Sequence, residues 1–213
     1  MALKKEEDPI LLVLSSDHEI KDKDNFVKTV ERGIDFALED KLVTFGVIPT
    51  APETGYGYIK AKKPFDSSEI NGESIEEFTE KPSIEKAIEF IKDKRYTWNS
   101  GMFIFKARKI LSEIRIFAPD LIKHCENALN KSTTDLDFQR INKNEFKKCQ
   151  SVSIDVAIME KTNHGIVLPL DAGWSDIGSW KTVWETAKKN KDNNVIDGKV
   201  ILKDSKNCYL RSD

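Results

Sequence analysis

Two aspartates stand where apolar runs end. Asp17 closes "LLVLSSDHEI" (residues 11–20), in which β-forming residues give way to a carboxylate beside His18. Asp176 lies in "LDAGWSDIGSW" (170–180), between glycines and just ahead of an aromatic-rich segment. In open α/β sheets ligands bind beyond the carboxyl ends of the strands, so acids at two strand ends are placed to clamp one divalent cation. Magnesium favours such carboxylates together with phosphate oxygens. The competing reading makes each acid the N-cap of the helix that follows it. A cap does not by itself call for two flanking glycines, which favours the metal pair for Asp176.

Three further stretches carry polar groups at strand ends. "FTEKPS" sets Glu80 and Lys81 before a proline and a helix start; a carboxylate accepts from sugar hydroxyls, and a lysine offers a point charge to a phosphate. "YTWNSGMFIF" brings Trp98 and Asn99 to the mouth of a strand, and the Asn99 amide both donates and accepts, which suits a sugar ring. In "IPTAPETGYGYIK", Gly55 and Gly57 interrupt a strand pattern, as glycine does where a ligand or another backbone approaches closely. Each has a plain alternative: adjacent surface charges, a turn asparagine, a β-turn.

The elements that must position these groups alternate in type. After the opening strand, Phe26, Val30, Ile34 and Ala37 recur at helical spacing, and "LVTFGVI" (42–48) reads as a second buried strand, giving a βαβ unit. "GYGYIK" and "SIEEFTE" predict shorter strands joined by the polar "KKPFDSSEINGE". Ser83 is placed to cap a helix with Ile84, Ala87, Ile88 and Ile91 on one face, after which "GMFIFK" returns as a strand. Helices are expected near 107–115, from Pro119, and after Ser153; "GIVLPL" (165–170) is a strand, and "SWKTVWETA" a helix with Trp180, Val183, Trp184 and Ala187 facing inward. From about residue 190 short β-like runs broken by Asp197-Gly198 and Ser205 suggest hairpin or repeat strands outside the main sheet.

Composition restricts the function classes. The 213 residues, 39% hydrophobic and 33% charged, suffice for one sizeable core. The net charge of -2 arises from 34 basic and 36 acidic residues spread along the chain, which argues against nucleic-acid or membrane-surface binding by bulk charge. Cys125, Cys149 and Cys208 are odd in number and lack metal-ligand spacing, so reduced thiols and a cytoplasmic location are expected. "MALKKEEDP" does not resemble a signal peptide, and the apolar run after it is too short to span a bilayer.

The ordered set "LVLSSDH", "TFGVIPTAPETGYGYI", "FTEKP", "WNSGMFIF", "SIDVAIMEK", "PLDAGWSDIGSW" and "DSKNCYLRS" closely resembles mannose-1-phosphate guanylyltransferase, including the form fused to a mannose-6-phosphate isomerase domain. The resemblance implies a nucleotide-diphospho-sugar transferase (Rossmann-like) α/β fold: a mixed, mostly parallel sheet between helices over 1–190, then a β-rich tail or linker over 191–213. It implies that mannose 1-phosphate attacks the α-phosphorus of GTP, giving GDP-mannose and pyrophosphate. Asp17 and Asp176 would hold Mg²⁺, while Glu80, Asn99 and the backbone at Gly57 would position mannose hydroxyls. Lys81 would contact the sugar phosphate, and Asp155 is a further candidate for the sugar pocket. Such transfer needs positioning and charge stabilisation more than covalent help. The attacking phosphate oxygen is already anionic, so no general base is required and His18 is left a structural residue; Lys161 and His164 receive no role.

One departure shapes the expectation. Family members open with a strand and a glycine-rich loop bearing an arginine and a later lysine that grip the triphosphate, whereas "LLVLSSDH" corresponds to a strand inside the family's domain. The expectation is therefore a sheet lacking its first strands, and an enzyme incomplete as a single chain. The alternative is a non-catalytic sugar-nucleotide-binding fragment or regulatory subunit. An unpaired strand edge invites pairing, so a homodimer or association with a missing N-terminal segment is expected.

Overall fold

The computed structural model describes residues 2–65 and 70–212; positions 66–69 of the polar "KKPFDSSEINGE" connection lie outside the described residues. In chain order the elements are β1 (Ile10–Val13), β2 (Glu19–Ile20), α1 (Lys23–Leu38), β3 (Leu42–Val47), β4 (Tyr58–Ala61), β5 (Glu73–Thr79) and α2 (Ile84–Phe90). Then come β6 (Tyr96–Lys106), α3 (Ala107–Phe117), α4 (Pro119–Asn130), the hairpin strands β7 (Thr133–Asp135) and β8 (Phe138–Arg140), and α5 (Lys143–Phe146). A π-helical turn at Asp155–Met159 precedes β9 (Gly165–Pro169), β10 (Trp174–Ser175), α6 (Trp180–Thr186), β11 (Val195–Asp197) and β12 (Tyr209–Arg211).

The main sheet has six strands in the order β1-β6-β3-β9-β5-β4. It is mixed, as the resemblance implies, but not mostly parallel as expected: β3 and β9 are its parallel pair, and the other pairings are antiparallel, because β6, β5 and β4 run against their neighbours. Strand β4 also pairs with the start of β6, so β6, β3, β9, β5 and β4 close on themselves in a ring. The largely apolar runs of β3 and β9 are buried because both faces of the sheet are covered. On one face, Phe26, Val30 and Ala37 of α1 meet Val43, Phe45, Ile104 and Leu168. On the other, Ile110 and Ile114 of α3 and Ala157–Met159 meet Leu42, Phe103, Phe105 and Val167.

Several expectations are corrected. Strand β1 is an edge strand, antiparallel to β6, with Leu12, Val13 and Leu14 exposed. On α2 only Ala87 of the expected face is buried, and Ile84, Ile88 and Ile91 face solvent, because this short helix meets the core through Ala87 and Phe90. Trp180 is 72% exposed rather than inward, lying against Tyr209 at 5.6 Å between ring centroids. Strands β11 and β12 pair in parallel, which excludes a hairpin between them. Cys125 and Cys149, distant in sequence, bring their Sγ atoms to 3.8 Å where α4 meets the segment after α5. Among the described residues no helix is long and apolar enough to cross a membrane.

Candidate functional site

The polar residues singled out by sequence gather at the carboxyl ends of β3 and β9, and a break in the sheet register begins the site. Strand β6 starts earlier than expected, so Asn99 lies within it and not at its mouth. Thr44 pairs with Phe103, but Gly46 pairs with Asn99, so β6 bulges at Ser100–Gly101 and Gly101 takes a φ of 70°. Such a bulge re-aims a side chain out of the ladder. Asn99 Oδ1 accepts from Gly101 N at 3.2 Å and from Thr44 Oγ1 at 3.0 Å, and its Nδ2 donates to Asp155 Oδ1 at 2.9 Å. The Gly101 N–H must meet an acceptor, which fixes the amide orientation and leaves one Nδ2 proton for a ligand.

Gly57 and Glu80 join this group. Asn99 N donates to the Gly57 carbonyl at 2.8 Å, and a Cβ built on Gly57 would come within 2.7 Å of Glu80 Oε2. Any larger residue at 57 would therefore displace the Glu80 carboxylate. Lys81, its side chain 65% exposed, keeps its Nζ 3.4 Å from Glu80 Oε1. Glu160, which residue-by-residue reading missed although it ends "SIDVAIME", belongs here too. Burial pushes its carboxyl up from the ordinary value, and the charges of Glu80 and Asp155 add to the rise.

The two strand-end aspartates are brought to one place by a small ladder. Strand β10 pairs antiparallel with β2, Ser175 opposite Glu19, so Asp176 (one residue past Ser175) and Asp17 (two before Glu19) leave the same end. Lys21 and Asp22 N–H groups both donate to the Ala172 carbonyl at 3.0 Å, and the Asn25 amide donates to the Asp171 carbonyl, tying the start of α1 to the same loop. Neither acid is a helix cap: Asp22 caps α1 and Ser179 caps α6. Asp17 is exposed at the surface. Asp176 Oδ1 accepts from Tyr56 Oη at 2.9 Å and from Gly178 N at 3.0 Å. A Cβ at Gly178 would sit 2.6 Å from Asp176 Oδ2, so glycine keeps that second oxygen uncovered.

Aromatic rings join the two halves. Tyr56 lies edge-on to Trp98 at 5.1 Å and to Trp174 at 5.6 Å, and Trp174 Nε1 donates to His18 Nδ1 at 3.1 Å. Trp98 precedes Asn99 and Tyr56 precedes Gly57, so the Asn99–Gly57–Glu80 group and the two aspartates share one wall. Burial pushes the Tyr56 phenol well up, and its hydrogen bond to Asp176 adds to the shift. Backbone strain follows two of the acids: Lys81 and Ile177 stand at φ 45° and 51°, a region unfavourable to a β-branched residue such as Ile177. Two surface clefts, lined by Phe146 and residues 149–153 and by residues 21–24, contain none of these groups.

Helices layered on both faces of a mixed sheet, with acids beyond the ends of its parallel strands, define an α/β protein whose candidate site lies where such folds place their ligands. The chain belongs to the nucleotidyl transferase family, which residues 1–193 match. It is similar to a mannose-1-phosphate guanylyltransferase of Salmonella muenchen, 44% identical over 98% of this chain and 43% of the relative. A putative mannose-1-phosphate guanylyltransferase of Vibrio cholerae is 42% identical over 98% of this chain and 44% of the relative. The chain thus spans under half the length of these relatives. Among solved structures, a Thermus thermophilus protein described as mannose-1-phosphate geranyltransferase superposes with a TM-score of 0.82 at 29% identity, over 99% of this chain and 60% of that one. A Helicobacter pylori protein described as mannose-6-phosphate isomerase gives 0.73 at 35% identity, over 82% of this chain and 66% of that one.

Proposed function

We propose that this chain binds mannose 1-phosphate and takes part in guanylyl transfer from GTP, in which GDP-mannose forms and pyrophosphate leaves. The observation that carries the reading is the junction of the Asn99–Asp155–Glu80–Gly57 group with the Asp17–Asp176 pair through Tyr56 and Trp98. The similarity to curated guanylyltransferases supports the choice of sugar and base.

The free Nδ2 proton of Asn99 donates to a mannose hydroxyl, while the carboxylates of Asp155 and Glu80 accept from others. Lys81 supplies a mobile positive charge to the sugar phosphate, whose oxygen attacks the α-phosphorus of GTP as the bond to pyrophosphate breaks. That oxygen is anionic at neutral pH, so the chain's residues orient and neutralise, and none withdraws a proton. Asp17 and Asp176 fit a magnesium ion: two carboxylates, with Asp176 Oδ2 uncovered, match the small protein ligand set this ion takes beside phosphates. When bound, Mg²⁺ would offset the charge gathering on the reacting phosphates. Among the described residues no group of three or more His, Cys, Asp or Glu could hold a metal, so the reading rests on these two acids.

Calorimetric titration of the chain with mannose 1-phosphate in the presence of Mg²⁺, followed by GTP, tests this. Saturable sugar-phosphate binding that Asn99→Ala weakens by about thirtyfold is the expected result. Absence of binding, or binding indifferent to that substitution, overturns the reading.

A further inference from the structure

The Asp176 carboxylate is asymmetric in its surroundings, and this points to a role for Tyr56. Both protein hydrogen bonds to the carboxylate fall on Oδ1, one from the Tyr56 phenol and one from Gly178 N. Oδ2 receives neither and is left bare by the glycine at 178. A carboxylate free to rotate about its last bond would exchange its oxygens; two donors converging on one of them hold the plane. The Tyr56 ring is held in turn, edge-on to Trp98 on one side and to Trp174 on the other. Trp174 is itself fixed by its hydrogen bond to His18, the neighbour of Asp17.

We propose that Tyr56 is a positioning residue that locks Asp176 with Oδ2 presented to a divalent cation. The proposal rests on the reading of Asp176 as a cation ligand and deepens it. Ligands that bind a metal through one oxygen are commonly oriented by a hydrogen bond to the other. Tyr56 also links the cation end to the sugar end along the chain, because Gly57, the next residue, accepts from Asn99 N. A purely packing role explains the ring but not the phenol oxygen, which would otherwise be a polar group set among indoles.

Binding of Mn²⁺, a paramagnetic stand-in for Mg²⁺, to the full chain saturated with mannose 1-phosphate provides the test, with free Mn²⁺ read by electron paramagnetic resonance. Three proteins are compared: the natural sequence, Tyr56→Phe and Asp176→Asn. Phenylalanine keeps the ring between the two tryptophans, so thermal stability is expected to hold while Mn²⁺ affinity falls about tenfold. Asp176→Asn is expected to lose more. Undiminished affinity in Tyr56→Phe, with loss in Asp176→Asn, overturns the role of Tyr56 alone. A fall in melting temperature with unchanged affinity does the same, since that is the signature of packing. If the natural chain fails to bind Mn²⁺, or Asp176→Asn binds as well as it, the cation reading fails and the role of Tyr56 falls with it.

Discussion

At the amino end of β9, Glu113 of α3 is 3% exposed and closed in by partners: Lys109 Nζ at 2.7 Å, Thr162 Oγ1 at 2.7 Å, and His164 Nε2 at 4.0 Å. In the candidate site, Asp155 and Asp176 at the far end and Glu160 on the segment leading into β9 meet an amide, a phenol and the fields of neighbouring carboxylates, and among the described residues none forms an ion pair with a lysine or arginine. Carboxylates thus serve two purposes in one molecule. Neutralised carboxylates hold α3 to the loop before β9; unneutralised ones keep negative charge and hydrogen-bonding capacity for something from outside.

Glu113→Ala is the most severe way to probe that contrast. It leaves the Lys109 ammonium largely buried without its partner and should cost about 3 kcal/mol, or about 6–12 °C in melting temperature for a chain of this length, by calorimetry. Sugar-phosphate affinity should not change. Asn99→Ala should show the reverse balance. Its loss should weaken mannose 1-phosphate binding by about 2 kcal/mol in calorimetric titration, with a smaller loss of stability from the stranded Asp155 and Gly101 partners.

Acid separates the two sets by sign. Burial alone would raise the Glu113 carboxyl, but hydrogen bonds from Lys109 and Thr162 and the Lys109 charge hold it below the ordinary 4.5. Its stabilising contribution is therefore complete above the unfolded value and is lost as pH falls through the depressed folded value. The Glu160 carboxyl is raised above 4.5, so it penalises the folded state increasingly as pH rises through that value. Thermal melts should show Glu160→Gln stabilising at pH 7 and neutral at pH 4, while Glu113→Gln destabilises at pH 7 and less so as acid protonates the native glutamate. A destabilised Glu160→Gln at pH 7 would erase the distinction between the sets. The smallest effect belongs to Lys81→Ala: its exposed pair with Glu80 should contribute under about 1 kcal/mol to stability. Sugar-phosphate binding should nevertheless weaken, and less so in high salt.

The sequence was most legible where one signal served one element. Ser83 and Pro119 start their helices as expected, and the runs of β3 and β9 are buried as their largely apolar character requires. The grouping of Gly57, Glu80, Asn99 and Asp155 was legible through motif resemblance, and the structure adds how a bulge aims Asn99. What escaped reading depends on contacts between distant segments. Tyr56 sits inside a quoted motif, but its partner is 120 residues away. Glu160 becomes notable only when Glu80 and Asp155 arrive beside it, and the outward isoleucines of α2 show that helical spacing alone does not say which face finds a core.

Closure of the strand ring through β4 and β6 has a consequence for motion. Strand β6 has β3 along one edge, with β1 and then β4 along the other, so its amides open only when several neighbours separate together. The ladder that carries the aspartates, β2 with β10, is two strands of two residues each. Hydrogen exchange should accordingly be slowest along β6 and far faster at residues 17–20 and 174–176, since short ladders open locally. The β6 side of the candidate site would then be a fixed seat, and the β2–β10 ladder an arm that opens locally and is returned to one position by the hydrogen bond from Tyr56 to Asp176.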